Sequence, residues 1–127
     1  MPERVSIEII EGNGVATEKL YEYEESWITR CLVNVIEDVL VWNLGTGETD
    51  VLSLAFQENC TALIDDRAAR KCAETLKIKT LGTGGILVLA KRRGFIDSVS
   101  SPLEKLQEAG LYISDEVVEL LKKQADE

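Results

Sequence analysis

Apolar residues along the first eleven positions form one stripe. Val5, Ile9 and Ile10 share a face of a helix predicted over Met1–Glu11. Pro2 suits its first turn, and Glu3 suits its positive end. Gly12-Asn13-Gly14 stops it, and a weakly amphipathic helix is expected over Val15–Glu22, followed by a polar link at Glu24-Glu25. Trp27-Ile28-Thr29 reads as a short strand or a surface anchor. Val33–Trp42 is apolar enough for a helix or a buried strand, and periodicity does not decide between them.

The pattern sharpens after Gly45-Thr46-Gly47. Val51, Leu52, Leu54, Ala55 and Phe56 are spaced for a helix over Glu48–Glu58. Thr61–Ile64 is a short apolar run that exits into Asp65-Asp66, as a buried parallel strand does. A helix over Arg67–Leu76, a strand over Lys77–Leu81, a loop at Gly82–Gly85 and a helix over Ile86–Arg93 follow. Two further helices are expected. One starts at Ser101-Pro102 and stops at Gly110, and the other is capped by Ser114. Strand, helix, strand, helix after Thr61 implies right-handed βαβ connection and a parallel sheet covered by helices. Ligands of such sheets gather beyond the carboxyl ends of the strands, where Asp65 and Asp66 lie.

Composition narrows the chemistry. The 127 residues fit one domain, 45% of them hydrophobic and 29% charged. There is no His, so a His-based triad, a His proton shuttle and a His-ligated zinc site are all excluded within this chain. Cys31, Cys60 and Cys72 are too few and too scattered for a disulfide scaffold or a Cys-x-x-Cys metal site, and each reads as a small buried hydrophobe. No stretch reads as a signal peptide or a membrane span, which makes a cytoplasmic location the expectation.

The net charge of −9 hides a segregation. Residues 1–66 carry 14 acidic and 3 basic groups, a balance of −11, whereas residues 67–93 carry 8 basic groups against Glu74 alone, a balance of +7. Carboxylates followed by a basic strip suit a metal-dependent site acting on a phosphate backbone, with the solvated faces of two amphipathic helices as the plainer alternative. No aromatic residue interrupts the strip before Phe95, so stacking on a single-strand platform is not indicated. Gly82–Gly85 matches neither the dinucleotide nor the P-loop pattern and reads as a tight turn, with nucleotide binding a weaker alternative. Glu8, Glu48 and Asp66 sit at or near element ends. Carboxylates converging from such positions would repel one another unless a hard divalent cation sat among them.

Four segments carry a resemblance: Gly47-Glu48-Thr49-Asp50-Val51-Leu52-Ser53-Leu54-Ala55, Leu63-Ile64-Asp65-Asp66-Arg67-Ala68-Ala69-Arg70, Leu81-Gly82-Thr83-Gly84-Gly85-Ile86-Leu87 and Ala90-Lys91-Arg92-Arg93-Gly94-Phe95-Ile96. With the ending Leu103 to Ser114, they make the chain similar to a widespread prokaryotic family of PIN-like, predicted nucleic-acid-binding proteins related to VapC-type toxins. The resemblance implies a three-layer α/β/α sandwich over residues 1–127, with a short parallel sheet. It also implies a ribonuclease site dependent on Mg²⁺ or Mn²⁺, in which Glu8, Glu48 and Asp66 ligate metal with Asp65 as an auxiliary. Arg67, Arg70, Lys91, Arg92 and Arg93 would steer the RNA backbone, and an antitoxin-like protein would be the partner.

One departure qualifies this. The family begins with a strand ending in a metal-ligand Asp, and Met1-Pro2-Glu3-Arg4-Val5 resembles the segment after it. A misassigned or truncated start, a short form that self-associates to cover the gap, and an inactive relative each account for the departure. The expectation is the self-associating short form, a homo-oligomer with weak or no nuclease activity. The alternative function is a catalytically inactive PIN scaffold that binds itself or a partner chain.

Overall fold

The computed structural model describes residues 1–12 and 14–127, so the Asn13 part of the Gly12–Gly14 stop lies outside the described residues. The chain forms two compact units, Met1–Thr80 and Leu81–Glu127.

In the first unit, α1 (Glu3–Glu11) and α2 (Val15–Glu24) pack on each other, and α1 also packs on α4 (Thr46–Glu58). The chain before α1 is extended. Pro2 bridges Cys31 in parallel, the Cys31 N–H donates to the Met1 carbonyl at 2.9 Å, and the Glu3 N–H donates to the Cys31 carbonyl at 2.8 Å. The ambiguous run Val33–Trp42 becomes extended chain and one helical turn, α3 (Glu37–Leu40). Only Val39 of that turn is fully buried, while Leu40 and Val41 face solvent, so no long helix or strand is needed to hide the run.

Helix α4 is the hub, touching α1, α3, α5 (Arg67–Thr75) and β1 (Ala62–Leu63). Its Leu52 and Ala55 join Val39, Ile64, Ala69, Cys72, Ala73 and Ile78 in one core. Asn59 ends α4 in the left-handed conformation at φ 51°, a conformation Asn tolerates better than other non-glycine residues. Strand β1 then pairs with β2 (Thr80–Leu81), the Ala62 N–H donating to the Lys79 carbonyl at 2.8 Å. Sequence periodicity suggested longer strands. The second is shortened because Lys77 turns the chain at φ 58° after α5, and Ile78 still donates back to the Ala73 carbonyl.

In the second unit, α6 (Thr83–Arg92), α7 (Ser100–Glu108) and α8 (Asp115–Gln124) surround Val88, Val99, Leu103, Leu121 and Ala125. Here the structure corrects the expected Gly82–Gly85 loop. Gly82 is the N-cap, and α6 already begins at Thr83, so Gly84 and Gly85 are helical. Packing explains their presence. A Cβ on Gly84 would come within 2.8 Å of the Leu121 side chain, and one on Gly85 within 2.8 Å of Leu81. Gly110 (φ 102°) stops α7, following its C-cap Ala109, and Ser114 caps α8 by accepting from the Val117 N–H at 3.3 Å, both as the sequence suggests.

Helix, strand, helix and strand follow one another in the order expected of an α/β fold, helix-rich and with a short parallel sheet. Among the described residues, no helix is long and apolar enough to cross a membrane.

Candidate functional site

The acids meet at the start of α4. Gly45, its N-cap, and Gly47, in its first turn, lack side chains and leave room on the backbone. The Glu48 carboxylate folds back onto Gly45, so a Cβ there would collide with it. The Glu8 carboxylate comes from α1 onto Gly47, with its oxygens 3.0 and 3.2 Å from where a Cβ would stand. Two carboxylates thus rest against the first turn of one helix, whose unpaired N–H groups and dipole favour negative charge.

A third acid lies one turn further along α4. Asp50 is 2% exposed and takes both the Nε of Arg4, at 2.7 Å, and an Nη of the same guanidinium. Arg4 stands one helical turn before Glu8 on α1, and Glu8 adds to the field that raises the Arg4 pKa above its ordinary value. The main cause of that rise is the hydrogen bond to Asp50. Sequence reasoning named Glu8 and Glu48 but not Asp50 or Arg4. The usable signal was an acid directly before the apolar run from Val51 to Ala55, one helical turn after Gly47 and so on the same buried face.

Asp66 stands elsewhere on the scaffold, as N-cap of α5, where its Oδ2 accepts from the Ala69 N–H at 2.9 Å. Asp65 beside it pairs with Arg70 at 3.6 Å. Arg67 opens α5, and Lys91, Arg92 and Arg93 lie in the second unit, at the end of α6. Lys91 pairs with Glu127 at 3.3 Å and Arg92 donates to the Gln124 carbonyl at 2.8 Å.

An apolar cavity of about 450 Å³ sits in the first unit, between Val5, Val51, Leu54 and Leu63. None of the four candidate carboxylates lines it. The cysteines also depart from expectation. Cys72 is buried and its thiol is pushed up by desolvation, Cys31 is half-buried, but Cys60 is exposed, because it follows the left-handed turn at Asn59 rather than facing the core.

A family model described as PIN domain matches residues 1–127. The chain belongs to the PIN domain family. Comparison with curated proteins and with solved structures gives no match. PIN domains generally use divalent metal ions. In this PIN domain the donors as they stand do not fit one. Asp50 has both oxygens on Arg4, Asp66 serves its helix, and among the described residues no three acidic or cysteine side chains group to hold a cation.

Proposed function

We propose that this PIN domain binds RNA and is the toxin-like half of a toxin–antitoxin pair, with the start of α4 as the seat of its ribonuclease chemistry. The observation that carries the reading is the convergence of Glu8 and Glu48 on one glycine-flanked helix start, in a family of nucleic-acid nuclease type. Arg67, Arg70, Lys91, Arg92 and Arg93 would hold the phosphate backbone, which an overall charge of −9 would otherwise repel. Mg²⁺ or Mn²⁺ would be the supporting ion, yet no hydrolytic step follows from the present donor arrangement.

That same arrangement favours a second reading, a PIN scaffold that binds RNA, another copy or a partner chain without cleaving. Arg4 already neutralises Asp50, which is the work a cation would otherwise do. The test compares the wild type with the Glu48→Gln/Asp66→Asn double variant on structured and single-stranded RNA with Mn²⁺. Cleavage lost in the double variant supports the nuclease. Equal cleavage by both proteins, or none by either, removes the enzymatic part and leaves the scaffold.

A further inference from the structure

Just past the cations at the end of α6 the chain carries an aromatic residue, Phe95. Gly94 follows the helix at φ 77°, its N–H donating to the Lys91 carbonyl at 2.9 Å. The next N–H, that of Phe95, returns to the Ala90 carbonyl at 2.9 Å. These two bonds close the helix in a fixed left-handed turn, the conformation glycine adopts most readily. One residue later, Ile96 packs against the core of Val88, Val99, Leu103, Leu121 and Ala125. Phe95 is therefore held by backbone bonds before it and an anchored side chain after it, and its own side chain is 79% exposed.

Along the chain the ring follows two exposed arginines, Arg92 and Arg93, and precedes an exposed acid, Asp97. Arg93, two residues before it, is exposed and makes no ion pair among the described residues. Exposed Arg92 has its guanidinium tied to Gln124 through one nitrogen, which leaves further N–H donors. A Cβ on Gly94 would meet no residue other than its two chain neighbours within 4 Å, so no more distant part of the chain crowds the backbone there. An apolar ring held outward costs hydration and gains no packing within the chain. Two residues after an exposed arginine pair, it suits one kind of ligand, a flat aromatic group carried on an anionic chain.

We infer that Phe95 is a stacking platform for an unpaired RNA base whose flanking phosphates are held by Arg93 and Arg92. The inference rests on the RNA-binding reading above and deepens it to single-stranded RNA. A duplex keeps its bases stacked inside and offers the ring no free face. It also revises the expectation that an aromatic-free basic strip lacks a stacking site, since the ring stands at the strip's end rather than within it.

The experiment is fluorescence anisotropy of the whole chain with a labelled single-stranded oligouridylate and with a labelled RNA duplex of equal length. Phe95→Ala is expected to bind the single strand about five- to a hundred-fold more weakly, with an unchanged salt dependence and unchanged duplex binding. Phe95→Trp is expected to keep wild-type affinity, because stacking needs a ring rather than this ring. Arg93→Gln is expected to make the salt slope for the single strand shallower by about 0.7. Phe95→Ala binding the oligouridylate as tightly as wild type, while Arg93→Gln weakens it, overturns the stacking inference and leaves RNA binding standing. Wild type that binds neither RNA overturns both. A thermal melt of each variant checks folding, which this exposed position should leave unaltered.

Discussion

Arg4 holds Asp50 through two nitrogens of its guanidinium, joining α1 to α4 beside the Glu8 carboxylate. The two partners differ in burial. The Asp50 side chain is 3% exposed and that of Arg4 is 46% exposed. Removing the arginine strands a buried carboxylate, whereas removing the carboxylate charge frees an arginine that can reach water. Arg4→Gln should therefore lower the urea midpoint more than Asp50→Asn does. Arg4→Lys should recover only part of the loss, since an ammonium lacks the two-pronged geometry. Equilibrium urea unfolding of the three variants checks the order.

Asp66 combines a proposed chemical role with a visible structural one. As N-cap of α5 it satisfies the Ala69 N–H, and Asn caps nearly as well as Asp, while Ala does not. Asp66→Ala should cost about 1 kcal/mol of stability, and Asp66→Asn much less. Loss of RNA cleavage in the Asn variant at unchanged stability would then belong to the chemistry rather than to the helix.

Glu127 ties the second unit together. Its carboxylate accepts from the Ser98 hydroxyl and, at 2.8 Å, from the Val99 N–H at the start of α7, and it pairs with Lys91. These contacts lower its pKa from 4.5 to about 2, the Ser98 bond being the largest cause and the Val99 N–H the next. A carboxylate lowered on folding stabilises the fold above its unfolded value and loses that contribution as pH falls toward the folded one. Wild type should therefore lose stability between about pH 4.5 and about pH 2. Glu127→Gln should be less stable at neutral pH and flatter over that window. Thermal melts at stepped pH measure both.

Two of the three thiols should separate by rate. Exposed Cys60 is expected to react with an alkylating reagent in the native state, while buried Cys72, its thiol raised by desolvation, should react only on unfolding. Mass spectrometry of a time course reads the order.

Packing makes a further distinction on α4. Leu52 is fully buried at the centre of the first core, and Phe56, one turn on, is 46% exposed. Leu52→Ala should cost about 2–5 kcal/mol, and Phe56→Ala far less despite the larger side chain. Denaturant midpoints of the two variants test whether α4 is the hub of that unit.

Much of this was legible in the sequence, for physical reasons that differ from place to place. The spacing of Leu52 and Ala55 announced α4, and Ser114 announced the start of α8, because helical period and capping are local properties. Glu8 and Glu48 were found as acids near element ends, and the structure brings both to one helix start. What escaped depended on partners distant in the chain. Asp50 gains its meaning only from Arg4, 46 residues away, and the helical state of Gly84 depends on Leu121 filling the space a Cβ would take. The exposure of Cys60 follows from the left-handed turn at Asn59, which composition alone does not reveal.

The most direct test of RNA binding by this PIN domain is the salt dependence of its affinity for a labelled single-stranded RNA, measured by anisotropy on the whole chain. If three to five of the basic residues neutralise phosphates, the logarithm of the affinity falls with the logarithm of salt at a slope of about −2 to −3.5. No binding at low salt, or an affinity indifferent to salt, would contradict it.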